Sequence, residues 1–156
     1  MRRKTTWREK LAAHKGLPKV EPIPEGMAKR WGTGTVVIPT PKEVDEITKQ
    51  VPEGQLVTIN KIRQTLAKKH DATIGCPLAT GIFAWIAAHA SAEEQTERQE
   101  HATPYWRTLK SGGELNPKYP GGIEGQRARL ESEGHRVIRK GKKYIVDGYE
   151  HRLAEL

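Results

Sequence analysis

At 156 residues the chain has room for one hydrophobic core, or for a small domain with an ordered arm. Only 35% of residues are hydrophobic and the mean hydropathy is -0.72, so part of the chain is expected outside that core. No apolar run reaches the roughly 18 residues a membrane span needs. A single cysteine, Cys76, excludes an internal disulfide framework and fits a reducing cytoplasm, or the nucleoid if the source is bacterial. The start, Met1-Arg2-Arg3-Lys4, is basic, but no hydrophobic signal core follows it.

The net charge of +8 and pI near 9.7 favour a polyanionic partner, with nucleic acid foremost. Its distribution is informative. Residues 1–30 hold nine Lys or Arg against three acids, residues 31–100 seven against nine, and residues 101–156 eleven against seven. A near-neutral centre between basic ends suggests a packed helical middle with positive surfaces on either side.

Residues 1–39 read as a basic, Pro/Gly-rich arm. Trp7 to His14 suits a short amphipathic helix, after which Gly16, Pro18, Pro22, Pro24 and Gly26 interrupt any long element. Val36-Val37-Ile38 is a short strand ending at Pro39. Two readings stay open: an arm clipped to the domain through Trp7 and Trp31, or one tracking a phosphate backbone.

Thr40-Pro41-Lys42-Glu43 carries a helix start, with Thr as cap, proline at the first helical position and an acid in the first turn. Val44, Ile47 and Val51 follow at helical spacing. After the Pro52-Glu53-Gly54-Gln55 turn, Thr58 caps a second helix that buries Ile62 and Leu66. Thr73 or Cys76 caps a third, in which Gly75, Ala79, Thr80, Gly81 and Ala84 are all small. An interior glycine costs a helix about 1 kcal/mol against alanine, so close backbone approach to DNA or to a neighbouring helix is expected. Three short helices joined by tight turns are the helix-turn-helix layout. Residues 91–101 are polar and acidic, leading away from the core.

Thr103-Pro104-Tyr105-Trp106-Arg107-Thr108-Leu109 sets two aromatics beside an arginine, ahead of a glycine-rich loop ending Tyr119-Pro120-Gly121-Gly122. Such a stretch suits stacking, phosphate contact, or plain core packing. A fourth helix runs from Ile123 to Glu133 and stops at Gly134. The alternation after His135, turning at Gly141, is a β-hairpin signal, and its tip concentrates Arg139, Lys140, Lys142 and Lys143.

Residues 41–134 resemble the DNA-binding domain of O6-alkylguanine-DNA alkyltransferases, and more closely their alkyltransferase-like relatives. Three landmarks carry the resemblance, in order: Pro52-Glu-Gly-Gln-Leu-Val-Thr, Thr103-Pro-Tyr-Trp-Arg-Thr-Leu in place of the family's Ile-Pro-Cys-His-Arg-Val, and Tyr119-Pro-Gly-Gly-Ile-Glu-Gly-Gln-Arg-Ala-Arg-Leu-Glu-Ser-Glu-Gly. The resemblance implies a mainly α fold: a winged helix-turn-helix DNA-binding domain over 40–134, a basic hairpin and tail over 135–156, and the basic arm over 1–39.

It also implies a non-enzymatic binder of double-stranded DNA. Tyr105 and Trp106 occupy the positions of the nucleophilic cysteine and its histidine, and a phenol of pKa near 10 with no adjacent imidazole cannot accept an alkyl group by that route. They are expected to plug the vacated site. Ile59 stands where the family has the tyrosine that rotates a nucleotide out of the duplex, and no arginine near Thr80-Gly81 is placed to fill the gap. DNA contacts are expected from Thr58, Asn60, Lys61, Thr73, Ala79, Thr80, Gly81, Arg107, Lys110, Arg127, Arg139, Lys140, Lys142 and Lys143. Alternatives are a sensor of alkylated bases that recruits DNA-repair proteins, or a protein or RNA interaction module. No cofactor, metal, membrane or small-molecule substrate is expected, since Cys76 with His70, His89 and His101 matches no zinc spacing. Cys76 itself reads as a small buried or capping residue, or as a relocated alkyl acceptor near a helix N-terminus.

Overall fold

The computed structural model describes residues 6–14, 16–97 and 103–156; Met1 to Thr5, Lys15 and residues 98–102, with the basic start, the end of the acidic stretch and His101, lie outside them. The fold is mainly helical, with small sheets. The arm supplies α1 (Trp7–Ala12), strand β1 (Lys19–Pro22), the single turn α2 (Ala28–Trp31) and β2 (Thr35–Ile38). Helices α3 (Pro41–Lys49), α4 (Ile59–Lys69) and α5 (Pro77–Glu97) follow, with two-residue strands β3 (Val57–Thr58) and β4 (Ile74–Gly75) between them. Next come β5 (Thr108–Leu109), α6 (Gly122–Ser132), and the hairpin of β6 (Val137–Lys140) and β7 (Lys143–Val146). Among the described residues no helix is long and apolar enough to cross a membrane.

Helix α3 starts where its sequence signals it. The Thr40 hydroxyl accepts from the Glu43 N–H at 3.1 Å, and Glu43 Oε1 accepts from the Thr40 N–H at 2.9 Å. This reciprocal cap satisfies two backbone donors that a helix start otherwise leaves open. Its inner face buries Val44 and Ile47 against Ile62 and Leu66 of α4, each worth about 1.5–3 kcal/mol in apolar area removed from water.

The arm shares that core. β1 pairs antiparallel with β2, and β2 pairs in parallel with β4, Val36 opposite Ile74 and Val37 opposite Gly75. Val37 is fully buried in the α3–α4 cluster, so the boundary expected at residue 39 falls inside a common core. Gly75, expected inside the third helix, lies instead in β4. A Cβ there would stand 2.6 Å from the Arg63 carbonyl oxygen, so strand and helix α4 approach each other backbone to backbone. The close approach, not a helix interior, is what requires glycine.

A second cluster holds Leu56, Leu109, Leu115 and Leu130 together with Tyr105, Trp106 and Tyr119. Parallel pairing of β3 with β5, Val57 to Thr108 and Thr58 to Leu109, fastens the start of α4 to the segment carrying both aromatics. Gln126 of α6 is fully buried and completes the junction. Its Nε2 donates to the carbonyls of Trp106 (3.1 Å) and Thr108 (3.2 Å), and its Oε1 accepts from the Asn116 N–H at 2.8 Å.

Candidate nucleic-acid interface

Pro104 leads into one 3-10 turn, Tyr105–Arg107, which delivers its side chains inward. Tyr105 and Trp106 are buried, their rings edge-to-face with centroids 5.3 Å apart, and Tyr119 closes on Tyr105 at 6.0 Å. Burial raises the Tyr105 phenol pKa, against the opposing pull of the Arg129 charge. At neutral pH the group is an uncharged packing ring. Trp106 Nε1 donates to Glu133 Oε2 at 2.9 Å, and the guanidinium of Arg129 lies 4.7 Å from the centre of its indole.

Arg107 does not face outward as the motif suggested. Its Nη2 is 2.7 Å from Glu133 Oε2, its Nη1 donates to the Val51 carbonyl at 2.7 Å, and only 13% of its side chain is exposed. Burial alone would raise the Glu133 carboxyl pKa; hydrogen bonds from Arg107, Trp106 and the Gly54 N–H outweigh it and hold the group below its usual value. An interior ion pair therefore takes the arginine from the expected phosphate contacts.

One further expected contact is buried, and another, although exposed, is tied into the fold. Thr80 is fully buried, because it falls on the inner face of α5. Thr73 does not cap α5; its Oγ1 accepts from the Thr35 N–H at 2.9 Å and ties β2 to the loop before β4. The residue before α5 is Cys76, whose buried sulfur accepts from the Ala79 N–H at 3.5 Å, a capping contact. Arg127 pairs with Glu131 one helical turn on, at 3.4 Å. Among the described residues no cluster of three ligating side chains could hold a metal ion.

Of the remaining candidates, Gly81 and Lys110 line one groove, while Thr58, Asn60 and Lys61 stand at the start of α4. Thr58 caps α4 by accepting from the Lys61 N–H at 3.2 Å, which fixes Lys61 on the first turn. Asn60, exposed beside it, reaches Ser111 Oγ at 3.4 Å and so touches the segment that carries Lys110. Between that segment and α5 lies an open groove of about 770 Å³. Pro77, Leu78, Gly81, Ile82, Trp85 and His89 form its helical wall; Lys110, Asn116, Pro117 and Lys118 form the other. Leu78 and Ile82, one turn apart, are 66% and 52% exposed, which is unusual for large apolar side chains on a helix with a buried opposite face. Sequence reasoning passed over both, and over the 116–118 wall, since exposure of apolar residues cannot be read from periodicity alone.

The hairpin is joined to the segment that forms the second wall of the groove. Leu115 N–H donates to the Tyr144 carbonyl at 2.9 Å, and Lys110 N–H donates to the Glu114 carbonyl at 2.8 Å, linking β7 through one short segment to the groove rim. Arg139, Lys140, Lys142 and Lys143 are all exposed at its tip.

No protein-family model matches the sequence, and no curated protein matches it significantly. The structure, however, superposes on S. pombe Atl1 in complex with damaged DNA containing O6-carboxymethylguanine, with a TM-score of 0.52 and 18% identity, over 74% of this chain and 94% of that one. The fold is that of an alkyltransferase-like protein. A second S. pombe ATL structure, in complex with DNA, gives 17% identity over the same shares and a TM-score of 0.45. Ile59 at the start of α4 packs half-buried against the α3–α4 core.

Proposed function

We propose that this chain is a duplex-DNA-binding protein of the alkyltransferase-like type that performs no alkyl transfer, in which α4 and α5 act as a helix-turn-helix and the basic hairpin as its wing. The observation that carries this reading is the groove between α5 and residues 110–118, whose rim is joined to the α4 start by the Asn60–Ser111 contact and to the basic hairpin by the Leu115–Tyr144 hydrogen bond. Its cations suit phosphate, and Leu78 and Ile82 suit a minor groove, where apolar side chains contact sugars and base edges. The likeness to a fold seen bound to DNA in Atl1 supports it. The lack of transfer rests on Tyr105, which is buried and uncharged and whose next residue is Trp106 and not a histidine. The test is duplex affinity against salt: log K should fall linearly with log[salt], by about 0.9 per phosphate neutralised, and the slope should shrink when Lys140, Lys142 and Lys143 are changed to Ala. Salt-independent binding, or none, sinks the proposal.

A second reading, a sensor of alkylated bases that hands the lesion to repair proteins, is favoured by the groove itself. Its volume lies within the range of ligand sites, about 300–1,000 Å³. Equal affinity for guanine and O6-alkylguanine duplexes removes this reading and leaves the first.

A further inference from the structure

One end of the groove is aromatic, and its geometry is set from the N-terminal arm. Trp85 and His89 stand one turn apart on α5, and both ring nitrogens reach the Lys118 carbonyl across the groove, at 3.1 Å and 3.0 Å. Trp7 contacts both rings. It stacks on His89 with centroids 4.5 Å apart and planes 22° apart, and meets Trp85 edge-on at 4.7 Å. Trp7 itself is not part of the groove lining. Its helix is fastened to α5 by one carboxylate, because Glu93 accepts from the N–H groups of Trp7 and Arg8, each at 3.2 Å, and from Arg8 Nε at 3.3 Å. Lys10 Nζ lies 4.3 Å from the Trp7 ring centre. The two rings are thus held at their edges by the Lys118 carbonyl and packed from the arm side by Trp7.

We propose that Trp7 is a positioning residue for this groove: by fixing Trp85 and His89 it prepares the aromatic end to stack a flat ring carried by an extrahelical base or by the base's substituent. The proposal rests on the base-sensing reading and deepens it, assigning selectivity to the arm. Docking of the arm and binding of the ring then reinforce each other, since any ligand that prefers the ordered wall must by linkage favour the docked arm.

The experiment compares wild type, Trp7→Ala and Trp7→Phe on otherwise identical duplexes bearing guanine, O6-methylguanine or O6-benzylguanine. Trp7→Ala should weaken binding to the benzyl duplex about three- to tenfold, the range of an aromatic contact, and leave the guanine duplex within about twofold; Trp7→Phe should recover most of the loss. An equal loss on all three duplexes marks a merely structural role and overturns the proposal, as does no loss. Tryptophan quenching by free O6-benzylguanine base separates the two layers. Quenching that Trp7→Ala weakens, without binding to any duplex, overturns the DNA reading and retains the aromatic end. Duplex binding that ignores the lesion, without quenching, overturns the aromatic end and retains DNA binding.

Discussion

Arg107 grips the Glu133 carboxylate as a fork, Nε 2.9 Å from Oε1 and Nη2 2.7 Å from Oε2, across the junction between the aromatic turn and the end of α6. A guanidinium so engaged stabilises the fold only while its partner remains. Glu133→Ala should cost about 3–5 kcal/mol in denaturant unfolding, because a buried cation is left without a counter-charge. An Arg107→Met, Glu133→Leu double variant should recover only the part of that loss due to the unpaired charge, since Trp106 Nε1, the Gly54 N–H and the Val51 carbonyl lose their partners. Arg107→Met should also leave the salt slope of duplex binding unchanged, and a shallower slope would return Arg107 to the interface.

Two glycines near α5 predict opposite signs. Gly75→Ala drives a Cβ into the backbone of α4 and should destabilise by about 1–3 kcal/mol. At Gly81 an added Cβ meets nothing within 4 Å, so Gly81→Ala should stabilise the helix by about 1 kcal/mol. Its methyl would nevertheless stand in the groove, so duplex affinity should fall as the melting temperature rises. Parallel movement of affinity and stability would contradict that placement.

Acid sensitivity should centre on Glu43. Burial raises this carboxyl's pKa, but hydrogen bonds from Lys69, the Thr40 N–H and His70, with the His70 charge, overcome it and bring it down to about 2 from an ordinary 4.5. The stabilisation is complete above about pH 4.5 and disappears as pH falls toward 2, where the folded carboxylate is finally protonated; it amounts to on the order of 3 kcal/mol. Urea unfolding from pH 6 to pH 2.5 measures it. The Glu43→Gln protein should show a flatter profile over that window, and an unchanged slope would reassign the acid sensitivity to other carboxylates.

Placing a thiol at position 105 should not create alkyl-transfer chemistry. In Tyr105→Cys the neighbour is still Trp106, whose indole N–H is already donated to Glu133 and which offers no basic nitrogen. Intact-mass analysis after incubation with an O6-benzylguanine duplex should show no added benzyl group. Labelled Tyr105→Cys would mean that some other group activates the thiol.

Local grammar made much of this readable in advance. The Thr40 capping box, the Thr58 cap and the turn at Gly141 each depend on residues within four positions of one another, and each lies where its signal stands. The motif order was enough to anticipate the alkyltransferase-like fold. What stayed hidden depends on distant partners. Arg107 looked like a phosphate ligand because its counter-charge lies twenty-six residues away at Glu133. Thr80 and Gly81 are neighbours in a run of small residues, yet one is sealed in the core and the other lines the groove, a division set only when α5 packs. Trp7 carried a hint of attachment, but its contact with His89 could not be foreseen from either residue's surroundings in sequence.

Gln126 has consequences beyond packing. Its amide offers a donor and an acceptor at once, and the three backbone groups it engages, at Trp106, Thr108 and Asn116, need both. Glutamate lacks the donor, asparagine is a methylene short, and leucine would leave those polar groups unpaired. The substitutions open to position 126 are therefore few, while position 105 must chiefly fill volume. The junction is held by an amide on α6 and the buried aromatics come from another segment, so drift at position 105 need not erode the hydrogen bonds that hold the junction.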